Sequence, residues 1–317
     1  MHDLTLLLPD AGRLRAALGP SVLSTWIARG DRLPDVSAGR SAALRSCFEF
    51  IGTTVPVAAL TRSIDAPRDA AGALWLRADP ACVLADAVTL RLMRCGNVDL
   101  SQDESRALAA ALQPLFGDAG FPLEATTPSR WYLRCPPGAQ LPEFSPPEAA
   151  LGDDVGRHLP EGDAGRRWRH LLNEAQVILH NHPVNAARAR NGSIPVNSVW
   201  IWGGGKLPDW ARTTYSAVAS DDDVARALAR LATVTTDPLD PRVIDRTWPD
   251  DAHLLVDLAA LRDPSVLDLD WFRRVEHALV ARKLRALHLC FGSGEHYCYR
   301  RMHRWRFWRR VAAADPA

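Results

Sequence analysis

Residues 168–206 read W-R-H-L-L-N-E-A-Q-V-I-L-H-N-H-P-V-N-A-A-R-A-R-N-G-S-I-P-V-N-S-V-W-I-W-G-G-G-K, and two hydrophobic periods meet in them. Trp168, Leu171, Leu172, Ala175, Ile178 and Leu179 recur at the three-and-four spacing of one helix face, which Pro183 interrupts. Val199, Trp200, Ile201 and Trp202 form a short apolar run that predicts a buried strand, closed by Gly203, Gly204 and Gly205. Between helix and strand stand His180, His182, Asn185, Arg188, Arg190 and Asn197, polar groups placed to converge on a ligand at a strand's carboxyl end.

Working outward, strands and helices alternate. Residues 4–8 predict a buried strand ending in Pro9-Asp10, and residues 13–61 read as mostly helical. Residues 73–78 predict a strand leading into Asp79-Pro80, and residues 129–134 another. Between them Ser101 and Glu104 form a capping box ahead of a helix whose face carries Leu108, Leu112 and Leu115. Past Pro208 come a strand at 215–219, a helix capped by Asp221 or Asp222, a strand at 253–258, and a helix capped by Asp268 or Asp270. Residues 287–291 and 296–299 flank Gly292-Ser293-Gly294-Glu295 as a hairpin. This alternation predicts an α/β fold with a mostly parallel sheet flanked by helices, a smaller inserted α+β subdomain and a C-terminal hairpin. The expected divisions are 1–69 with 148–317 as the α/β core, 70–135 as the inserted subdomain, and a proline-rich linker at 136–147.

Composition narrows the function classes. The 317 residues are 47% hydrophobic and 24% charged, which excludes a globally disordered chain. A formal net charge of +1 supplies no general attraction to nucleic acid or membrane. Its distribution is uneven: Arg300, Arg301, Arg304, Arg306, Arg309 and Arg310 crowd the C-terminal end, leaving −5 on the remainder. Cys47, Cys82, Cys95, Cys135, Cys290 and Cys298 form no C-x-x-C pair, and no apolar run approaches the roughly 18 residues of a membrane span. Reduced thiols and a cytoplasmic location are the expectation.

Four groups could carry chemistry. The amides of Gly203, Gly204 and Gly205, with Lys206 and Arg188, suit a phosphate, although no Ser or Thr follows the lysine as in a P-loop; the alternative is a tight turn beneath Trp200 and Trp202. Asp10 is either a metal ligand at the end of the first strand or a helix cap. His180 and His182 lack the four-residue spacing of helical zinc ligands, so one of them capping a helix is the competing reading. The tail at 300–310 interleaves cations with aromatics. It fits phosphates and bases, but the preferred reading is docking on the protein's own surface with Trp305 and Trp308 buried.

The block L-L-N-E-A-Q-V-I-L-H-N-H-P-V-N-A-A-R-A-R-N-G-S-I-P-V-N-S-V-W-I-W-G-G-G, with W-L-R-A-D-P, S-R-W-Y-L-R and the terminal H-R-W-R-F-W-R-R, resembles the RpfE-type regulatory proteins, over most of the chain. It is also similar to the H-P-x-N…R…G…P-A-N…G-x-G segment of the cofactor-independent, archaeal-type phosphoglycerate mutases of the alkaline phosphatase superfamily. That resemblance implies an alkaline phosphatase-like, truncated fold with a substrate-side insertion at 96–112 and 129–134, and Asp10 at the first metal aspartate. It also implies two divalent metals (Mn, Mg or Zn) and a Ser or Thr nucleophile. The chain departs from it, because no histidine follows the strand at 253–258 and no P-G-S-D-like nucleophile segment lies between Ser37 and Thr61.

The expectation is therefore a regulatory or ligand-sensing pseudoenzyme without cofactor. It would hold a phosphorylated or anionic small molecule at His182, Asn185, Arg188, Asn197, Gly203, Gly204, Gly205 and Lys206, or contact a protein partner. The alternatives are an active metal-dependent mutase or phosphatase using Asp10, Asp221, Asp222 and His253, and nucleic-acid binding through the tail.

Overall fold

The computed structural model describes residues 1–86 and 89–309. The chain divides into two units, Met1–Thr53 with Pro208–Ala317, and Thr54–Leu207.

The first unit is built on a seven-stranded sheet in the order Thr235–Asp237, Ala217–Ala219, His253–Asp257, His2–Leu8, Leu284–Phe291, His296–Arg300, Asp31–Leu33. The first five strands run parallel; the last two are antiparallel additions. Leu4 faces Leu254 on one side and Leu287 on the other, so the central strand is flanked on both edges. Leu4, Leu6, Leu7 and Leu8 are all buried, which explains why a continuous apolar run, rather than an alternating one, encodes this strand. Trp26, Trp271, Phe272 and Val275 complete its core. The expected hairpin forms, and Gly294 is required in its turn: its φ is +94°, and a Cβ there would lie 2.2 Å from the Val36 carbonyl oxygen.

Caps set the helix starts. Asp10 Oδ1 accepts from Arg13 N at 2.8 Å to open Ala11–Leu18, and Asp222 Oδ1 accepts from Ala225 N at 2.8 Å to open Asp223–Leu231. Asp268 and Asp270 do not cap the late helix as expected. Asp263 caps an earlier turn, Pro264–Val266, and a π-helical segment, Leu267–Phe272, runs directly into Arg273–Val280.

The second unit is organised on one long strand, Leu74–Ala85, paired antiparallel with Ser198–Lys206 along one edge. Its other edge is shared by Arg130–Cys135 and then Leu90–Cys95; Leu123–Thr127 extends the sheet beyond Arg130–Cys135. The expected strand at 73–78 thus continues through Pro80. Val199 pairs with Pro80 on one edge; on the other, where the Pro80 carbonyl accepts from Gly96 N, the proline falls between residue 77, where one partner strand ends, and residue 81, where the next begins, so its missing N–H faces a gap in the ladder. Gln102–Asp118 carries the predicted capping box, Ser101 Oγ accepting from Glu104 N and Glu104 accepting from Ser101 N. Gly162–His180 buries Trp168, Leu171, Leu172, Ala175 and Leu179 against this sheet's core.

This division corrects the expected boundaries of 70–135 and 148–317. The stretch around residues 168–206 belongs with the antiparallel sheet, because its strand pairs with Leu74–Ala85 and its helix shares that unit's core. Val57–Asp65 joins the same unit.

Candidate functional site

The nominated anion-binding groups are engaged elsewhere. The Asn185 amide donates to Leu179 O at 2.7 Å and to Val196 O at 2.8 Å, and its Oδ1 accepts from Val196 N at 2.9 Å. Arg188, 4% exposed, donates to the carbonyls of Ile194, Asp99 and Val98 and pairs with Glu104 at 3.0 Å. Asn197 clamps Val83 through both its N–H and its carbonyl. His182 caps Pro183–Arg190 by accepting from Val184 N at 3.2 Å. All of these bonds pin a helix–loop–strand connection.

Gly203, Gly204 and Gly205 lie inside Ser198–Lys206 rather than in a loop after it. A Cβ at Gly203 would meet Val57 Cβ at 2.9 Å, one at Gly204 would meet Leu76 Cδ2 at 2.8 Å, and one at Gly205 would meet Pro56 Cβ at 2.4 Å. The glycines permit close packing of the Pro56–Val57 backbone and of Leu76. Lys206 is exposed at the strand's end. Asn185, Arg188 and Asn197 of the expected anion-binding set thus direct their side chains to the protein's own backbone, and Lys206 faces solvent.

Of the enzyme alternative's ligands, Asp10, Asp221 and Asp222 follow the carboxyl ends of their strands, whereas His253 lies at the opposite end of its own. Asp10 is used as a cap and Asp221 accepts from Leu239 N at 3.1 Å. His253 opens its strand while Asp257 ends it, placing the histidine about 13 Å from the carboxyl end at 3.3 Å per residue. There its Nε2 is 2.8 Å from Thr5 Oγ1. Burial and the neighbouring His288 depress its pKa to about 4. Among the described residues no three His, Cys, Asp or Glu side chains converge as a metal-ligand group. The donors present do not fit a two-metal centre.

Another constellation occupies the carboxyl end of the parallel strands, where open α/β sheets bind ligands. Asp257, 4% exposed, ends its strand, and Ser220 follows Ala217–Ala219. Arg40, the first residue of Arg40–Cys47, forks onto Asp257: Nη1 to Oδ1 at 2.9 Å and Nη2 to Oδ2 at 2.5 Å. The same Nη2 lies 3.1 Å from Asp222 Oδ1. Ser220 Oγ donates to Asp257 Oδ2 at 2.8 Å and Ala259 N donates to Oδ1 at 3.3 Å. Every lone-pair direction of the Asp257 carboxylate thus faces a donor. Burial opposes the guanidinium's charge, but Asp257 and Asp222 outweigh it and hold the Arg40 pKa above its ordinary value. The sequence reading missed Arg40, Asp257 and Ser220. Asp257 carried a signal, an acid at the end of an apolar run, whereas Arg40 carried none that identifies a partner 217 positions away.

The tail also differs from expectation. Met302, Trp305, Phe307 and Trp308 are 69%, 64%, 75% and 67% exposed, and it is the arginines that dock. Arg306 pairs with Asp31 and donates to Arg29 O, and Arg309 donates to Gly30 O. Arg310 lies outside the described residues. All six cysteines are free, and no helix among the described residues is long and apolar enough to cross a membrane.

No protein-family model matches the chain. A probable 2,3-bisphosphoglycerate-independent phosphoglycerate mutase from Geobacter sulfurreducens is 33% identical over 112 residues, 35% of this chain and 28% of that protein. The 2,3-bisphosphoglycerate-independent phosphoglycerate mutase of Methanosarcina mazei is 38% identical over 66 residues, 21% of this chain and 17% of that protein. Among solved structures, the cofactor-independent phosphoglycerate mutase from Thermoplasma acidophilum aligns over 94% of this chain and 89% of its own, at 18% identity and a TM-score of 0.40. Part of the chain is therefore similar to cofactor-independent phosphoglycerate mutases. The matched segments span less than a third of those relatives' length, and the sequence likeness reaches about a third of this chain rather than most of it.

Proposed function

We propose that this chain is a regulatory protein of the RpfE type, on a scaffold related to the cofactor-independent phosphoglycerate mutases, that acts by binding rather than by metal-dependent phosphoryl transfer. One observation carries the reading: the buried strand-end carboxylate, Asp257, is held by the chain's own Arg40, with Asp222 as second partner. In-line phosphoryl transfer on two metals needs open carboxylate and imidazole lone pairs around the reacting oxygen. Here the lone pairs of Asp257 are taken by N–H and O–H donors, Asp10 and Asp222 cap helices, and His253 is at the other end of its strand. The sequence likeness to mutases supports the scaffold and leaves the activity to experiment.

The test is a coupled assay of 3-phosphoglycerate to 2-phosphoglycerate conversion with Mn²⁺, Mg²⁺ or Zn²⁺ added. No turnover above the protein-free rate is expected. Metal-dependent turnover that disappears in Asp257→Asn would refute the proposal.

A further inference from the structure

The tail is the one sequence motif that this reading leaves unexplained, and its geometry separates two tasks among its residues. One set of groups anchors it. Arg306 and Arg309 reach the Arg29–Asp31 backbone and the Asp31 carboxylate, Arg29 Nη1 donates to Arg304 O at 2.8 Å, and His303, 1% exposed, accepts from Arg300 N. A second set faces solvent. Trp305, Phe307 and Trp308, each about two-thirds exposed or more, together present roughly 300–500 Å² of aromatic surface, as much as the largest apolar patch of a typical monomer, which is often functional. Phe307 and Trp308 meet edge-on, with an interplanar angle of 79° at 5.4 Å, so their ring faces are not stacked on each other.

Cations accompany the rings. Arg304 lies over the Trp305 ring at 4.7 Å. Among the described residues Arg282, Arg301 and Arg304 make no ion pair, and Arg301 Nε is buried without a partner. Arg282 stands just ahead of Leu284–Phe291, and Ala286 of that strand pairs antiparallel with Arg300, so the register brings Arg282 to the end of the sheet from which Arg301 and Arg304 continue. Guanidiniums that form no ion pair are complementary to a polyanion.

We propose that residues 300–309 form a binding surface for single-stranded nucleic acid, with bases stacking on Trp305, Phe307 and Trp308 and phosphates meeting Arg282, Arg301 and Arg304. Every base has a face that such rings accept, and a phosphate backbone supplies the missing counter-charge. A bilayer surface fits less well. Interfacial binding uses an amphipathic helix with one continuous apolar face, whereas this segment is a five-residue 3-10 turn, Arg301–Trp305, followed by irregular chain.

The experiment is fluorescence anisotropy of a fluorescein-labelled oligothymidylate of about 15 nucleotides, titrated with the full chain. Saturable binding is expected at 50 mM salt. With about three phosphate charges neutralised, the log–log salt slope should be about −2, a roughly 20-fold loss of affinity by 200 mM. Replacing Trp305→Ala together with Trp308→Ala should weaken binding at least about tenfold, since each stacked base contributes roughly fivefold or more. The pair Arg301→Gln and Arg304→Gln should instead flatten the slope by about 1.4. The two pairs report independently, so misfolding of one leaves the other decisive, with circular dichroism as the fold check. Absence of saturable binding at 50 mM salt, affinity indifferent to the aromatic pair, or a slope indifferent to the arginine pair would each overturn the proposal. So would tighter binding to phosphatidylserine vesicles, lost in the aromatic pair, which would assign the surface to lipid.

Discussion

Arg40→Ala tests the network on which the functional reading rests. Removing one partner of a buried ion pair leaves the other charge without compensation, a loss of about 3–5 kcal/mol where neither side reaches water. The Asp257 side chain is 3% exposed, but Arg40 is 24% and Asp222 33% exposed, so the guanidinium side of the pair is partly solvated already. Asp257 would also keep its bonds from Ser220 and Ala259. The expected loss is therefore about 2–3 kcal/mol, below the fully buried limit. Urea denaturation with an unchanged m-value measures it. Adding Asp257→Asn to Arg40→Ala removes the stranded charge and should recover about 1 kcal/mol or more, while Arg40→Lys, with a point charge that cannot fork, should fall between parent and alanine variant. A loss for Arg40→Ala below about 0.5 kcal/mol, or no relief in the double variant, would refute the argument that the pair is made and buried as described.

Three further outcomes follow from the same geometry. Arg188→Ala should destabilise by about 3 kcal/mol, since it strands the carbonyls of Val98, Asp99 and Ile194; chemical denaturation measures this, and unchanged stability would reopen Arg188 as a ligand group. Gly203→Ala combines a φ of +66° with a Cβ placed 2.9 Å from Val57 Cβ, so a fall in Tm equivalent to about 2 kcal/mol or more is expected. His253 titrates at about 4 when folded against 6.5 ordinarily. Between those values the unfolded chain binds a proton that the folded chain does not, so its stabilising contribution is complete above 6.5 and is lost as pH falls toward 4. After discounting for partial exposure the drop is about 1–2 kcal/mol, and His253→Gln should flatten that part of the stability–pH profile.

Local signals in the sequence located most elements. The capping box at Ser101 and Glu104, the apolar run at residues 4–8 and the glycine-rich turn after Phe291 each name their structure within a few residues, because helix starts, buried strands and tight turns are short-range events. Pairing is long-range. Nothing near Val199 indicates that its strand lies antiparallel to Leu74–Ala85, more than a hundred residues earlier, and so the sequence does not tell which unit it joins. The run through Asp79-Pro80 was cut short for a related reason. A proline ends a strand unless its neighbours happen to leave a gap opposite it, and the gap is visible only once both partner strands are placed.

The site follows the same division. His182, Asn185, Arg188 and Asn197 were read as converging because they are polar and close in sequence. A polar side chain with several donors has two ways to satisfy them, ligand or backbone, and the loop between Pro183–Arg190 and Ser198–Lys206 carries carbonyls and N–H groups that no helix or strand serves. Asn185 serves Val196 in that loop, and Arg188 serves Ile194 there and the carbonyls of Val98 and Asp99 outside it, which accounts for a dense polar motif through backbone bonds. Arg40 is the reverse case, a single cation in an unremarked stretch whose importance comes from topology. The parallel order carries Ser220 and Asp257 to one end of the sheet, and the chain that returns from Asp31–Leu33 delivers Arg40 to the same end. A carboxylate buried there must be matched by a metal, a proton or a guanidinium, and this chain supplies the guanidinium itself.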